Sequence, residues 1–422
     1  MKYLGSLKKS LWTLTEIGIA PFTVLIATPF LLKFLGVDIF AQYIFAKTIV
    51  SMGSLVSMTM NEAVTKEIAI NPNNKEKKHI LNSIKASITI TTISIFIILI
   101  IFLPIFWRFF PLFFIKIGDQ KTLHLILIFA LFLIYCEQID GIFSGALKGL
   151  ENFKQSALLE LIARAINLSL CLYISYKYKD LYKLLEILLF SSLLRIFLKV
   201  VILSRLIRGF TFIFGWDKKI FFNLLNFGKW NWLQLIGGSL EENGNRLLLA
   251  SMVGPEALTI YSISNTLTRT VHLIPFSCLY WIFPKASKLS TNNKYIPRNF
   301  LKKSISANII ISLPLGFLLL ILGKHILSLW ISPEFASENY LFFILISIYW
   351  IIYSFYPSSY FLLLGFGKQK LLGLIDIFGC LVSIIFSYIG INIFGIYGIF
   401  IGKYLSAIIS FKQIQSANKL SD

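Results

Sequence analysis

The chain has 422 residues, 56% of them hydrophobic and 14% charged, with a formal net charge of +20. A soluble domain carries roughly 25% charged residues, so this composition excludes a water-soluble globular fold and leaves a lipid bilayer as the solvent. The basic balance suits an anionic membrane surface or an anionic substrate. Nucleic acid is excluded as a partner, because no hydrophilic segment is long enough to fold into a binding module.

Roughly 20 mostly apolar residues are needed to cross the hydrocarbon core as a helix. That length predicts twelve spans, near 12–35, 38–60, 84–106, 122–146, 156–176, 181–204, 222–252, 257–284, 304–330, 337–364, 371–390 and 393–411. Each is helical, since an isolated strand leaves its backbone groups unsatisfied in lipid. The first apolar run is longer than the core of a signal peptide and no small-residue cleavage site follows it, so it is expected to stay as the first membrane helix. Cys136, Cys171, Cys278 and Cys380 each sit inside an apolar run and no two are closely spaced. They read as small hydrophobes rather than as metal ligands or a disulfide framework, and neither a metal nor another cofactor is expected.

Short cytoplasmic loops collect Lys and Arg. With the N-terminus inside, the inner segments hold Lys2, Lys8 and Lys9, then Lys66, Lys75, Lys77, Lys78 and Lys85, then Lys148 and Lys154. They continue with Lys199, Arg205, Arg208, Lys218 and Lys219, then Lys285, Lys288, Lys294, Arg298, Lys302 and Lys303, and end with Lys368, Lys370, Lys412 and Lys419. The outer loops hold far fewer. This alternation predicts an even number of spans and cytoplasmic termini. The outer loops are short, and the inner ones are basic and unpatterned. They leave no place for a catalytic domain outside the bilayer, and no phosphate-binding Gly-Lys-Ser/Thr loop is present. The expectation is a protein that is not an enzyme.

Two short patterns recur at the same place in each half. Leu35-Gly36-Val37-Asp38 leads to Tyr43, and Val253-Gly254-Pro255-Glu256 leads to Tyr261. In both, the glycine precedes the tyrosine by the same spacing, with an acid two residues after the glycine. After the fourth and tenth spans, Gly149 to Lys154-Gln155 resembles Gly365-Phe366-Gly367-Lys368-Gln369. A glycine ends a helix at little cost because it tolerates left-handed backbone angles. Two matches in the same order predict a duplicated fold, with a six-helix bundle over 1–210 and another over 211–422. Six is even, so the two have the same orientation, related by a pseudo-two-fold axis along the membrane normal around a central cavity.

At Gly254-Pro255-Glu256-Ala257-Leu258 to Tyr261, and at the Lys368-Gln369 turn, the chain resembles the Wzx-type polysaccharide flippases of the multidrug/oligosaccharidyl-lipid/polysaccharide exporter superfamily. The resemblance extends over about 10–412 in length, span count and placement of the ends. It implies a flippase that moves an undecaprenyl-diphosphate-linked oligosaccharide, an O-antigen or other lipopolysaccharide repeat unit, from the inner to the outer leaflet of the bacterial inner membrane by alternating access and without ATP hydrolysis. It further implies membrane lipids, a polysaccharide polymerase and a chain-length regulator as partners. A lipid II flippase or a multidrug exporter of the same superfamily shares this architecture. A polytopic polymerase is a weaker rival, because its family pattern includes a large outer loop with arginines.

Ionisable residues at membrane depth are costly and usually face a cavity or a partner. The basic ones are Lys47, Arg164, Arg195, Lys229, Arg246, Arg269 and Lys403; the acidic ones are Glu16, Glu137, Asp140, Glu160, Glu186, Glu241, Glu242 and Asp376. Lys47 and Arg269 fall mid-span in corresponding helices and lack an acid at helical spacing, so they are the foremost candidates for binding an anionic substrate. Arg164, Arg195 and Arg246 are further candidates, since the planar guanidinium donates two parallel hydrogen bonds to phosphate. Glu160 with Arg164 and Glu242 with Arg246 stand at i,i+4 spacing, which also fits structural ion pairs. Arg195, Lys229 and Lys403 lie nearer the span ends, where a long side chain can reach the interface. Glu137 and Asp140, three residues apart on one face, are candidates for carrying a coupling proton, or for pairing with a base on another helix.

Overall fold

The computed structural model describes the backbone of residues 2–69, 77–207, 210, 214–215, 217–292 and 295–421. Within these, side chains are described outside 2–21, 55–59, 62, 69, 77–78, 98, 101–102, 218–219, 222–236, 284 and 291–292. Glu16 and Lys229, and among the loop cations Lys2, Lys8, Lys9, Lys75, Lys77, Lys78, Arg208, Lys218, Lys219 and Lys294, lie outside the described side chains.

Among the described residues the chain is all-α. In order its helices are α1 (Lys2–Gly53), α2 (Leu55–Ala69), α3 (Lys77–Phe113), α4 (Gln120–Gly149), α5 (Phe153–Tyr178), α6 (Leu181–Leu206), α7 (Lys218–Met252), α8 (Pro255–Thr268), α9 (Thr270–Cys278), α10 (Ile282–Asn292), α11 (Arg298–Trp330), α12 (Pro333–Tyr353), α13 (Pro357–Gly365), α14 (Gln369–Phe394) and α15 (Ile399–Lys419). The described residues include eight segments long and apolar enough to cross a bilayer, two of which, Phe22–Gly53 and Gln369–Lys419, run through a positive-φ glycine. At Gly36 (φ 74°) and Gly395 (φ 58°) the backbone turns from one pass into the next.

Several expected spans are interrupted. The second is divided at Ser54 into the end of α1 and α2, the eighth into α8, α9 and α10, and the tenth into α12 and α13. Side chains satisfy the backbone that such breaks release. Asn308 on α11 donates to the carbonyl of Phe355 (2.8 Å) and Ser312 to that of Ser354 (3.0 Å), both in the α12–α13 break. Helix starts are capped where the sequence provides a short polar side chain. Asp180 accepts from the Tyr182 amide at 2.7 Å, and Ser332 from the Phe335 amide at 3.1 Å with Pro333 in the first turn.

The chain forms two compact units, Met1–Trp232 and Leu233–Asp422. In unit 1 the core gathers Met60 and Val64 of α2, Ile84 and Ile88 of α3, Ile139 and Phe143 of α4 and Leu203 of α6. In unit 2 one core joins α7, α8, α12 and α15 around Tyr261, Phe342 and Tyr349, and a second joins α10, α11, α13, α14 and α15 around Ile282, Phe361 and Leu372.

The recurring sequence patterns correspond to recurring backbone. Gly36 and Gly254 both have positive φ, 74° and 127°. After Gly149, the amides of Leu150, Glu151 and Asn152 donate to the carbonyls of Ala146, Lys148 and Leu147. After Gly365, the amides of Phe366, Gly367 and Lys368 donate in the same offsets to Leu362, Leu364 and Leu363. Each turn holds one left-handed residue, Glu151 (φ 61°) or Gly367 (φ 70°). Each glycine also lets a second helix approach: a Cβ at Gly149 would meet Ile68 of α2, and one at Gly365 would meet Ala286 of α10.

In unit 2 the α14–α15 pair is the tightest. Gly398, just before α15, packs on Gly390 of α14, and on α15 Gly402 packs on Ser383 and Ser387 and Ser406 near Gly379. Small residues let membrane helices approach at backbone distance.

Candidate functional site

Unit 1 encloses a cavity of about 330 Å³ between α1, α4, α5 and α6. Its polar lining includes Thr23, Tyr43, Lys47, Glu137, Arg164, Asn167, Ser191, Ser192 and Arg195. Five of the seven residues singled out from the sequence are in unit 1, and four of them line this cavity. Lys47 is exposed on the α1 wall, its ammonium 5.4 Å from the centre of the Tyr43 ring.

Behind the cavity the charges of α4, α5 and α6 form one network. Arg195 lies 2.7 Å from Glu137, 3.4 Å from Glu160 and 3.6 Å from Asp140. Arg164 pairs with Glu160 at 2.7 Å, the i,i+4 contact read from the sequence. Lys199 lies 2.6 Å from Asp140 and 3.7 Å from Glu160, and donates to Ser144 at 2.7 Å. Three carboxylates thus meet three cations, and Lys47 adds a fourth cation on the opposite wall. The access is graded. Glu137 is 36% exposed, whereas Asp140 and Glu160 are 9% and 8% exposed.

Three residues depart from expectation here. Lys199 is not a loop residue; it is 1% exposed inside the helix bundle. Its carboxylate partners hold it there, and its spacing of four from Arg195 puts both cations on one face of α6, a signal present in the sequence. Arg195 does not reach for the interface, because three carboxylates hold its guanidinium inside. Asp140 does not line the cavity and is engaged by Lys199.

Unit 2 carries a second cluster. Glu242 of α7 bonds Arg246 at 2.9 Å and Arg269, at the α8–α9 break, at 2.5 Å. Arg269 has no acid at helical spacing, as expected, but it is paired all the same. Its partner comes from the neighbouring helix, which sequence spacing does not reveal. Beside it, the Glu241 carboxylate accepts from the hydroxyls of Ser406 (2.8 Å), Tyr349 (3.1 Å) and Ser383 (3.3 Å). Lys403 is 2% exposed and sits over the rings of Tyr349 (4.1 Å), Tyr261 (5.5 Å) and Trp350 (5.7 Å). It does not extend to the interface; the ring faces attract the ammonium inside the bundle. His272 lies among Tyr353, Trp350 and Phe276, with centroids 5.0, 5.6 and 5.7 Å away. Asp376 accepts from Gln413 at 3.0 Å. The serine and tyrosine partners of Glu241 carried no signal in the sequence, since hydroxyls are common in membrane helices and their partners are distant in the chain.

Known structures share this fold. A multidrug resistance MATE family transporter of the MOP superfamily in its inward-facing conformation matches with a TM-score of 0.76 at 15% identity, covering 94% of this chain and 95% of that chain. The outward-facing conformation of such a transporter gives 0.63 at 15% identity, covering 97% and 95%. A MOP superfamily transporter from Pyrococcus furiosus, described as having a binding pocket of reverse polarity, gives 0.61 at 16% identity, covering 97% and 95%. No curated protein matches. The fold is that of a multi-pass membrane transporter of the MOP superfamily. The family model of polysaccharide biosynthesis proteins matches residues 6–290, more than half of the chain, and the chain belongs to that family.

Proposed function

We propose that the chain is a flippase for a lipid-linked oligosaccharide, moving an undecaprenyl-diphosphate-linked repeat unit of O-antigen or a related surface polysaccharide from the inner to the outer leaflet of the bacterial inner membrane. Its termini are cytoplasmic on this reading, and it works by alternating access as a carrier, not an enzyme. The observation that carries the reading is the unit 1 cavity, where Lys47, Arg164 and Arg195 bring three cations to one polar wall set. Arg164, Arg195 and Lys199 meet three carboxylates and Lys47 adds a fourth cation, a positive surplus that suits a diphosphate or an acidic sugar. Glu137 is the coupling carboxylate of the proposal, because it is the most accessible acid on Arg195, and Asp140 supports it through the same arginine. In unit 2, Arg246 and Arg269, which share Glu242, are the further anion-binding candidates of the proposal. A polymerase and a chain-length regulator are the expected partners downstream.

Deleting the gene tests this. Lipid-linked repeat units should accumulate, protected on the inner leaflet, and surface polysaccharide should fall. Normal surface polysaccharide together with heightened drug sensitivity would replace the reading with a multidrug exporter.

A further inference from the structure

The helix ends of unit 2 carry a feature that the transport cavity does not use. One end of α10, α11, α13, α14 and α15 meets in a single core of Ile282, Ala286, Phe300, Leu362, Leu372 and Ala417. The Ile296 amide, just before α11, donates to the Leu420 carbonyl at the end of α15 at 2.7 Å, which holds the two together. Around this core the exposed side chains include Lys285, Lys288, Arg298, Lys302, Lys303 and Lys419. No acidic residue occurs between Glu256 and Glu334, nor between Asp376 and Asp422. In unit 1, by contrast, Lys66 is followed by Glu67 and Lys148 by Glu151.

We propose that this end of unit 2 is a docking surface for the headgroups of anionic phospholipids. Three observations select a lipid surface. The first is order along the helices: exposed apolar residues (Ile274 on α9; Ile309, Ile310 and Phe317 on α11) give way to Tyr280 and Trp281, 52% and 44% exposed, and then to the cations. Apolar, aromatic and cationic bands in that sequence follow the profile of a bilayer leaflet. The second is rigidity. α10 buries Ile282 and Ala286 completely and presses Ala286 against Gly365, so its opposite side, with Trp281, Lys285 and Lys288, is held outward. The third is the setting of Lys285. Its ammonium is 5.8 Å from the Trp281 ring centre and 5.4 Å from that of Phe300, which fixes a cation beside an indole at the depth where headgroups lie. The proposal does not depend on what unit 1 carries.

The test uses the purified full-length protein in neutral detergent and a fluorescent phosphatidylglycerol, with phosphatidylcholine of the same chains as reference. Phosphatidylglycerol should bind more tightly, and salt should weaken it. The triple variant Lys285→Gln, Lys288→Gln, Lys302→Gln should lose about a hundredfold in phosphatidylglycerol affinity, since each cation contributes on the order of 1 kcal/mol near an anionic surface. A control triple, Lys121→Gln, Lys177→Gln, Lys183→Gln, should bind as the parent does. If the first triple variant aggregates, Lys285→Gln alone should still show about a fivefold loss. Equal binding of both lipids overturns the proposal. So does an unchanged phosphatidylglycerol affinity in the folded variants, or binding of inorganic pyrophosphate at these residues without a preference for phosphatidylglycerol.

Discussion

The Lys199 ammonium lies 2.6 Å from the Asp140 carboxylate, joining α6 to α4 with the lysine 1% exposed. Removing one member of a buried pair leaves an uncompensated charge and costs roughly 3–5 kcal/mol, whereas removing both is far less costly. Lys199→Met should therefore lower the melting temperature strongly, and Lys199→Met with Asp140→Asn should recover most of the loss. Fluorescence-detected melting in detergent measures both. A double variant no better than the single would mean that Glu160, 3.7 Å from Lys199, is its principal partner.

Arg195 faces three carboxylates at 2.7, 3.4 and 3.6 Å, a geometry that a branched guanidinium serves and a single ammonium does not. Arg195→Lys should keep the protein folded but cut transport at least tenfold, read as restored surface polysaccharide in a deletion strain. Glu137→Gln should retain folding better than Glu160→Gln, because Glu137 is the more exposed of the two and Glu160 bonds three cations.

Glu242 is shared by Arg246 and Arg269, so their contributions should not add. Either Arg→Ala change leaves Glu242 with one cation and should cost about 1 kcal/mol; the double change strands a carboxylate and should cost roughly 3 kcal/mol or more. A double-mutant cycle on melting temperatures reads the coupling directly. Additive losses would show that the two arginines act independently of Glu242.

These pairs also show where sequence reading ends. Helical spacing made Glu160–Arg164 and Glu242–Arg246 legible, and apolar length with loop charge made the passes legible. The turns at Gly36 and Gly254 were legible because glycine marks positive φ, whereas the left-handed residue after Gly149 is Glu151, which no glycine announces. Arg269 with Glu242 and Lys199 with Asp140 join different helices, and no spacing rule reports such contacts. Lys403 departs from expectation for a related reason: its position near a span end suggests the interface, but the rings that hold it come from α8 and α12. Span count was overextended into continuity, since breaks at Arg269 and Ser354 depend on side chains such as Asn308 from other helices.

The α14–α15 interface gives the most direct test of close packing. An added Cβ at Gly402 would lie 2.1 Å from the Ser383 carbonyl oxygen, and one at Gly398 would lie 2.0 Å from that of Gly390. The nearest atom in each case is backbone, so rotating a side chain does not relieve the clash and the helices must separate. Separation would also lengthen the bond from Ser387 to the Ile399 carbonyl, now 3.1 Å, and part Ser383 from Ser406, which share the Glu241 carboxylate. Gly402→Ala should therefore cost roughly 1–3 kcal/mol through overpacking, and Gly402→Leu should prevent recovery of folded protein. Gly238→Ala, where an added Cβ has nothing within 4 Å, should cost about 1 kcal/mol or less. Melting curves of the three variants in one detergent decide the matter. Equal stability of Gly402→Ala and Gly238→Ala would show that the α14–α15 contact has room for a methyl group.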